Sequence, residues 1–323
     1  MVGTTPRLAS TNHSETKMKL SIVVTTRNDN HGEGLTERTN IFMHALNEQV
    51  QRARLDTELI IVEWNPPPDR QRLIDELEYI TDSEFLTTRV ITVSPEIHHG
   101  LDNADVLPLF QMIAKNVGIR RAQGDWILAT NPDIIFSSEI FEFLATGELD
   151  HNCFYRASRY DIKYNLLPRA PIDELLGMRE MSVVRAQDPK SPTGIHTNAC
   201  GDFTMLSREQ WHYLRGYPEY ELWSMHIDSL FLFIADTAGM YQCLLGWPCY
   251  HFKHVGSWST TPRHDLPMLH YTQVNKMWID MKKEGAPKII NPATWGLADA
   301  NLEETTIDST IDSTKSLHTP ETV

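Results

Sequence analysis

The segment "KNVGIRRAQGDWILATNPDIIFS", residues 115–137, leads from the end of a predicted helix into a short buried strand. Basic residues stand in the last helical turn, where they interact favourably with the helix dipole, and Gly124 is a plausible stop. The strand is "WILAT", and Pro132 ends it because proline has no amide hydrogen to donate to a neighbouring strand. Asp133 is therefore expected at the strand tip, either as a ligand of a cation or as a residue of a simple turn.

Three more apolar runs precede this strand, with helical patterns between them: "LSIVVTT" at 20–26, "ELIIVEW" at 58–64 and "RVITVS" at 89–94. Their apolar residues are continuous rather than alternating, which is typical of parallel strands buried on both faces. The sequence therefore predicts an α/β fold of three layers, with a mostly parallel central sheet and helices on both faces. Ligands of such sheets bind beyond the carboxyl ends of the strands, so we expect the loops after these four strands to meet there.

Apolar residues at helical spacing predict a helix from Val106 to the turn before Gly124. In the less regular second half, "FYRASRYDI" is consistent with a strand and residues 166–192 with a long loop or short helices. "FTMLSREQWHYL" predicts a strand that becomes a helix at Ser207. "DSLFLFIADTAG" predicts a buried helix, and "YQCLLGWPCYHF" a strand interrupted at Gly246.

The composition is that of a globular protein, since 41% of the 323 residues are hydrophobic and 22% are charged. A net charge of -14 argues against nonspecific binding to nucleic acid, which requires a basic surface. Residues 1–17 and 298–323 are polar and of low complexity, and the second segment contains "IDST" twice. We therefore expect disordered tails on either side of a single domain at 18–297.

The chain carries no signal for export or membrane insertion. Its N-terminus lacks the apolar core of a signal peptide, and no apolar run reaches the roughly twenty residues that span a bilayer. The four cysteines, Cys153, Cys200, Cys243 and Cys249, include no CxxC pair, so reduced and mostly buried thiols are expected. These features predict a cytoplasmic protein without a membrane span.

Five segments occur in a recognisable order: "LSIVVTTRND", "IIVEWNP", "AKNVGIRRAQGDWILATNPDIIFS", "GDFTMLSREQWHYLRGYPE" and "HIDSLF". In this order they resemble the glycosyltransferases of the GT-A fold, especially those of family 2, over roughly residues 19–260. The resemblance implies a Rossmann-like GT-A domain that transfers a sugar from a nucleotide-diphosphate donor to a hydroxyl acceptor, with inversion. It also implies a nucleotide-sugar-binding half at 18–137 and an acceptor-binding half at 138–297.

The resemblance places donor-binding residues after the first two strands and on the helix that precedes "WILAT". By position these are Thr25, Thr26, Arg27, Glu63, Lys115, Asn116, Arg120, Asn131 and Asp133. Asp133 matches the last aspartate of the family's DxD motif, which binds a divalent metal, Mn²⁺ or Mg²⁺, and the diphosphate. Asn131 replaces the first aspartate of that motif. Its oxygen can face ribose or metal, but it carries no charge.

A histidine ligand is implied as well, because many GT-A enzymes place one in the region of "YHFKHVGSWS". The candidates are His251 and His254, with a slight preference for His254, which precedes Gly-Ser. The alternative for each is a structural histidine. In a strand or loop the two side chains are expected to point apart.

Asp228, in "HIDSLF", matches the catalytic base of inverting members of the family. The chemistry requires such a group, because an acceptor hydroxyl is a poor nucleophile until its proton is removed. The alternative is that Asp228 caps the helix it begins. The resemblance also implies that Gly201 and Asp202 line the acceptor side, whereas Trp223 either stacks on a sugar or packs in the core.

Two other functions share features with this sequence pattern. A sugar nucleotidyltransferase has a similar sheet but typically carries a glycine-rich phosphate loop after the first strand. Here "TTRNDNHGEGLTER" contains Gly32 and Gly34 but no glycine-rich run. A non-catalytic protein that binds a nucleotide or a glycan would account for Asn131.

Overall fold

The computed structural model describes residues 18–163, 172–177, 181–186, 193–254 and 265–307. The predicted N-terminal tail and part of the predicted loop at 166–192 lie outside these ranges. The helices within them are α1 (Leu35–Ala53), α2 (Leu73–Glu76), α3 (Pro95–His99), α4 (Gln111–Arg121), α5 (Ser138–Ala145), α6 (Ile172–Gly177), α7 (Arg208–Leu214), α8 (Ile227–Thr237) and α9 (Tyr271–Glu284).

Within the described residues, eight strands form the central sheet. In spatial order they are β10 (Tyr241–Leu244), β6 (Cys153–Arg156), β9 (Thr204–Ser207), β4 (Trp126–Ala129), β1 (Leu20–Thr26), β2 (Thr57–Trp64), β3 (Leu86–Val93) and β12 (Glu303–Ile307). The four strands predicted first, β1 to β4, are parallel to one another, and β9 and β12 are antiparallel to their neighbours. The predicted fold class, an α/β fold with a mostly parallel central sheet, is confirmed.

A second sheet lies beside the first and holds four strands in the part of the chain that the structure describes. In spatial order they are β5 (Ile134–Phe136), β11 (Cys249–Lys253), β7 (Arg159–Lys163) and β8 (Met181–Arg185). The residues that follow "NPD" therefore leave the central sheet and pair with β11. "FYRASRYDI" contains two strands rather than one, since β6 joins the first sheet and β7 the second.

Alternate residues of β1 pack into two different hydrophobic cores. Ile22 and Val24 face the core that contains residues of α1 and α5, whereas Val23 faces the core that contains residues of α4, α7, α8 and α9. A strand whose two faces are both covered is apolar at successive positions rather than at alternate ones, which explains the run at 22–24. The expectation of helices on both faces of the central sheet is confirmed.

Helix α4 crosses β1 and β2 very closely at Gly118. A Cβ atom at that position would lie 2.5 Å from Val23 Cγ1 and 3.2 Å from Val62 Cγ2, so a side chain would force the helix away from the sheet. Gly124 has a similar role, because a Cβ there would lie 2.6 Å from the backbone nitrogen of Ser21. The prediction of Gly124 as the helix stop was wrong, since α4 ends at Arg121 and Gly124 serves close packing against β1.

Several predicted boundaries are corrected by the structure. The helix predicted from Val106 begins at Gln111, and Val106 itself is 49% exposed. Residues 166–192 include helix α6 and strand β8. The strand-to-helix change at Ser207 is confirmed, with Ser207 Oγ accepting a hydrogen bond from the Gln210 backbone. "YQCLLGWPCYHF" does contain a break near Gly246, but its two strands join different sheets.

The predicted C-terminal tail was wrong for residues 303–307, which form β12 at the edge of the central sheet. Glu304 pairs with Arg89 of β3 at 2.6 Å, and Glu303 lies 3.5 Å from Arg72. Acidic residues made this segment look like a solvated tail, but they are the partners of buried or half-buried arginines on the adjoining elements. The later part of the predicted tail, 308–323, lies outside the described residues.

The expectation of four reduced cysteines was wrong for two of them. Cys153 and Cys243 form a disulfide between neighbouring strands β6 and β10, whereas Cys200 and Cys249 are buried thiols as expected. The pairing depends on two strands 90 residues apart in sequence. Among the described residues, no helix is both long enough and apolar enough to cross a bilayer.

Candidate functional site

The carboxyl ends of the parallel strands meet at one edge of the central sheet, as predicted. Thr26 at the end of β1 is paired with Glu63, and Trp64 at the end of β2 with Val93. Strand β9 runs the other way, and its first residue, Thr204, pairs with Ala129 at the end of β4. The turn before β9, residues 200–202, therefore reaches the same edge.

Asp133 lies in this region, at the start of the second sheet. Ile134 pairs with His251 of β11, and the Phe252 amide donates to the Asp133 carbonyl oxygen at 3.2 Å. This register places Asp133 beside both candidate histidines, so the expectation that their side chains point apart was wrong. The Nε2 atoms of His251 and His254 lie 3.4 Å and 3.3 Å from Asp133 Oδ2.

A second carboxylate, Asp161 of β7, stands behind His251. Strands β7 and β11 are parallel and pair Asp161 with His251, so their side chains share a face. Asp161 Oδ1 lies 3.2 Å from His251 Nδ1. A carboxylate on Nδ1 holds the proton there and turns Nε2 toward Asp133, as found behind metal-binding histidines.

The charges of this cluster shift the pKa values of its members. Burial alone would raise the pKa of the Asp133 carboxyl, but the adjacent imidazoles of His251 and His254 hold it well below its ordinary value. Burial alone would lower the pKa of His251, yet Asp133 and the hydrogen bonds to Asp133 and Asp161 raise it to about 9. An ionised carboxylate with only 8% of its surface exposed is thus stabilised by two side chains that can also release a proton.

The donor set fits a divalent cation. Asp133, His251 and His254 each offer a ligand atom, these atoms lie within 4.8 Å of one another, and among the described residues they are the only such group. Two ligand atoms that are each ~2.1 Å from one tetrahedral cation are ~3.4 Å apart. The two Nε2–Oδ2 separations, 3.4 Å and 3.3 Å, are close to this value. One carboxylate with two imidazoles suits Mn²⁺, Fe²⁺ and Zn²⁺.

Both ends of the Asn131 side-chain amide are hydrogen-bonded to other residues. Its Nδ2 donates to Asp202 Oδ1 at 2.6 Å, and its Oδ1 accepts from Gln111 Nε2 at 2.9 Å. The residue expected at the first position of the DxD motif is therefore bound to the turn before β9 and to the first residue of α4.

Lys115 is fully buried between this turn and the candidate base. Its Nζ donates to the Gly201 carbonyl oxygen at 2.6 Å. Burial lowers the pKa of the Lys115 ammonium to about 8, whereas the negative charges of Asp202 and Asp228, followed by that of Asp133, oppose the shift. The charge of Lys115 thus interacts favourably with three carboxylates that the sequence had singled out separately.

Asp228 lies in the first turn of α8, and the helix N-cap is His226. Asp228 is therefore not the N-cap residue of α8. Its Oδ1 accepts from the Ser229 amide at 2.8 Å. A Cβ atom added at Gly201 would lie 3.2 Å from Asp228 Oδ2, so the glycine leaves space beside that oxygen.

Thr25 at the end of β1 and Arg27 directly after β1 are held by β2 and by the loop that follows β2. Thr25 and Thr26 are buried, and Thr25 Oγ1 donates to the Val62 carbonyl oxygen at 3.2 Å. Arg27 is partly exposed, donates to the Asn65 carbonyl oxygen at 2.7 Å and lies 3.2 Å from Asp29. Arg27 is thus a cation at the ligand edge with part of its surface accessible.

Glu63, Asn116 and Arg120 are engaged in packing rather than at the open edge. Glu63 is fully buried and accepts from Arg72 Nε and from the Leu73 amide, both at 2.8 Å. Asn116 binds the backbone of Tyr217 and Glu219 Oε1. Arg120 donates to the Ala293 carbonyl oxygen and lies over the Trp295 ring. The structure does not bring these three side chains into the Asp133 cluster.

The predicted acceptor residues are split between two environments. Gly201 and Asp202 belong to the turn beside Lys115, and Asp202 is 5% exposed. Trp223 is half-buried, packs against the core of α8 and donates its backbone amide to Pro267. Gly201 and Asp202 lie beside Asn131 and Lys115, nearer to the predicted donor residues than expected.

Sequence reasoning missed Asp161 and Arg159. Both lie on β7 two residues apart, and they therefore share a face of the strand. Arg159 Nη1 lies 2.7 Å from Asp202 Oδ2, and its Nε lies 2.9 Å from Asp161 Oδ1. The R-x-D spacing within a strand was the available signal. His31, in the loop after β1, was also missed, and its ring packs edge-on against His254 at 5.4 Å between centroids.

No protein-family profile matches the sequence, and no curated protein matches it significantly. Among solved structures, the chain is similar to a crystal structure of S. aureus TarS 1–349, with 15% identity, a TM-score of 0.43, and coverage of 73% of this chain and 60% of that one. For S. aureus TarS 1–349 in complex with UDP-GlcNAc, the identity is 14%, the TM-score 0.46, and the coverage 82% and 66%. The chain therefore spans less than two thirds of either TarS chain. A likeness this distant says nothing about function.

Proposed function

We propose that the protein is a glycosyltransferase that moves a sugar from a nucleotide-diphosphate donor to a hydroxyl acceptor with inversion. The observation that carries the proposal is the cluster of Asp133, His251 and His254 at the ligand edge of the sheet. Lys115 links this cluster electrostatically to Asp228, because both Asp133 and Asp228 interact favourably with its charge. A cation site and a candidate base within reach of one buried lysine are the elements that sugar transfer needs.

Asp133, His251 and His254 would hold a divalent cation. When bound, such a cation neutralises the charge of the departing diphosphate. Asp161 keeps the His251 Nε2 atom directed at Asp133, because it occupies the Nδ1 side of the ring. Arg27, the partly exposed cation after β1, is assigned to the donor phosphates.

Asp228 is assigned the role of base. The acceptor O–H bond breaks as its proton passes to a carboxylate oxygen of Asp228, and the acceptor oxygen bonds to the anomeric carbon. The bond from that carbon to the diphosphate oxygen breaks on the opposite side, so the nucleoside diphosphate leaves and the configuration inverts. Gly201 leaves the approach to Asp228 Oδ2 open.

The test is product formation from a panel of sugar nucleotides and hydroxyl acceptors, in the presence of Mn²⁺. We expect Asp228→Asn to lower transfer by about 100-fold or more, in line with the usual contribution of a general base, while nucleotide binding persists. Asp236→Asn is the matched control, because Asp236 lies on the same helix and pairs with Lys282. Undiminished transfer by Asp228→Asn would remove the base assignment.

A second candidate is a non-catalytic protein that binds a nucleotide sugar. It is favoured by one observation, the engagement of the Asn131 amide by Asp202 and Gln111. Calorimetry with UDP, GDP and dTDP, each with and without Mn²⁺, separates the two. Nucleotide binding without transfer or hydrolysis of any donor in the panel would favour the binder.

A further inference from the structure

We infer that Asp202 supplies the negative charge that Asn131 lacks, and that the two side chains form one positioning unit beside Asp133. The inference rests on the proposed function, because it assigns the pair to the cation and donor site. Under it, Asn131 is the neutral partner of a carboxylate that comes from the turn before β9, rather than a weakened cation ligand.

The hydrogen bonds determine the orientation of the Asn131 amide. Asp202 Oδ1, which only accepts, lies 2.6 Å from Asn131 Nδ2, so the Asn131 oxygen faces Gln111 Nε2 at 2.9 Å. Thr130 Oγ1 adds a third link, 2.7 Å to the Asp202 carbonyl oxygen. Two consecutive residues at the end of β4 are therefore tied to Asp202, directly before the Pro132-Asp133 pair.

An aspartate at position 131 would not fit this arrangement. It would place a second carboxylate at hydrogen-bond distance from Asp202, which is 5% exposed. Two negatively charged carboxylates this close in a buried place would repel each other strongly. With an amide at 131 and a carboxylate at 202, the two side chains form a hydrogen bond and only one of them is charged.

A chain of polar contacts connects the Asn131–Asp202 pair to His251. Asp202 Oδ2 accepts from Arg159 Nη1 at 2.7 Å, and Arg159 Nε lies 2.9 Å from Asp161 Oδ1. Asp161 in turn faces His251 Nδ1 at 3.2 Å. Arg159 thus joins the carboxylate that orients Asn131 to the carboxylate that orients His251, and connects the end of β4 to β11.

The geometry permits an exchange of the two side chains. In the double variant Asn131→Asp/Asp202→Asn, the amide at position 202 donates to the carboxylate at 131 and its oxygen accepts from Arg159. The carboxylate at 131 still accepts from Gln111. All three hydrogen bonds persist and the net charge is unchanged, whereas each single variant loses one of them or adds a like charge.

The experiment compares the wild type, both single variants and the double variant. The melting temperature Tm of the metal-free protein reports the pairing, and Mn²⁺ titration by calorimetry and electron paramagnetic resonance reports the site. We expect Asn131→Asp to lower Tm by about 5 °C and Mn²⁺ affinity by about tenfold, and the double variant to recover both. Asn301→Asp, which adds the same charge at an exposed position, controls for net charge.

Each outcome decides the inference. Unchanged Tm and Mn²⁺ affinity in Asn131→Asp, or a double variant no closer to the wild type than the single ones, overturns it. Recovery of Tm without recovery of Mn²⁺ affinity also overturns it, because the pair would then be structural alone. A wild type that binds no Mn²⁺ defeats the proposed function together with this role, whereas Mn²⁺ binding without recovery defeats this inference alone.

Discussion

Glu58 and Asp133 are both buried carboxylates, and they lie at opposite ends of the structure's strands. Glu58, at the amino end of β2, is 1% exposed, and Asp133, beyond the carboxyl end of β4, is 8% exposed. Glu58 accepts from Arg89 at 2.8 Å and also from Ser21 and the backbone amides of residues 123 and 124. Asp133 instead faces the Nε2 atoms of two histidines.

The two carboxylates differ in whether a cation can take the place of the proton on the partner side chain. A guanidinium keeps its protons throughout the accessible pH range, so Arg89 and Glu58 form a permanent pair that links strands β2 and β3. An imidazole can release its Nε2 proton and bind a cation through the same atom. Similar burial therefore produces a structural pair at one end of the sheet and a candidate binding site at the other.

The largest effect is expected for Asp133→Asn. We expect Mn²⁺ affinity to fall by about three orders of magnitude, because the substitution removes the one negative charge among three ligands. The Tm of the metal-free protein should fall as well, since the substitution removes the charge pairing that holds the Asp133 carboxyl ionised and leaves the buried His251 without its partner. Calorimetric titration and thermal melting measure the two effects, and retention of Mn²⁺ affinity would show that the cation binds elsewhere.

Glu58→Gln should lower the stability but leave the site intact. We expect the free energy of unfolding to fall by about 3 kcal/mol, because Arg89 loses the carboxylate that compensates its buried charge. Mn²⁺ affinity should stay within about twofold of the wild type, since Glu58 lies at the other end of the sheet. Urea denaturation gives the stability, and a loss of Mn²⁺ binding in the folded variant would contradict the separation of the two regions.

Asp161→Asn should weaken Mn²⁺ binding without abolishing it. An asparagine oxygen still accepts from His251 Nδ1 but lacks the charge that makes Nε2 a better ligand. We expect Mn²⁺ affinity to fall by about tenfold, at the low end for residues behind a metal ligand. Asp173→Asn is the control, because Asp173 is exposed and pairs with Arg52. Equal Mn²⁺ affinities for the two variants would remove Asp161 from the site.

The smallest effect is the pH dependence of the Glu58 contribution. Burial alone would raise its pKa, but Ser21, the Gln123 amide and Arg89 hold the pKa below the ordinary value of 4.5. Its stabilisation is therefore fully present above pH 4.5 and is lost as pH falls through the lower, folded-state pKa. Unfolding free energies of wild type and Glu58→Gln should converge at acid pH, and a constant difference between pH 7 and pH 3 would contradict this.

The hydrophobic pattern was sufficient for the four parallel strands of the central sheet. Ile22, Val23 and Val24 are all apolar because the strand is covered on both faces, and this local signal indicates a parallel sheet without any knowledge of partners. From that sheet the position of Asp133 followed, since proline ends β4 just before it. The same reasoning located the strand before Ser207, but it gave no partner for that strand or for the later ones.

Pairings between distant segments were not predictable in the same way. Asp161 became a partner of His251 because β7 and β11 lie side by side, 90 residues apart in sequence. Strand β12 was taken for a tail, since its acidic residues gain their meaning only from Arg89 and Arg72. The Cys153–Cys243 disulfide likewise depends on the contact of β6 with β10.

The sequence by itself determined the α/β class, the first four strands and the position of Asp133 beyond the end of β4, because these depend on local periodicity and on proline. Only the tertiary structure decided the surroundings of "NPD". Asn131 faces Asp202, and Asp133 faces His251 and His254. Such contacts join residues 71 to 121 positions apart, and their charges acquire defined partners only when packing brings the strands together.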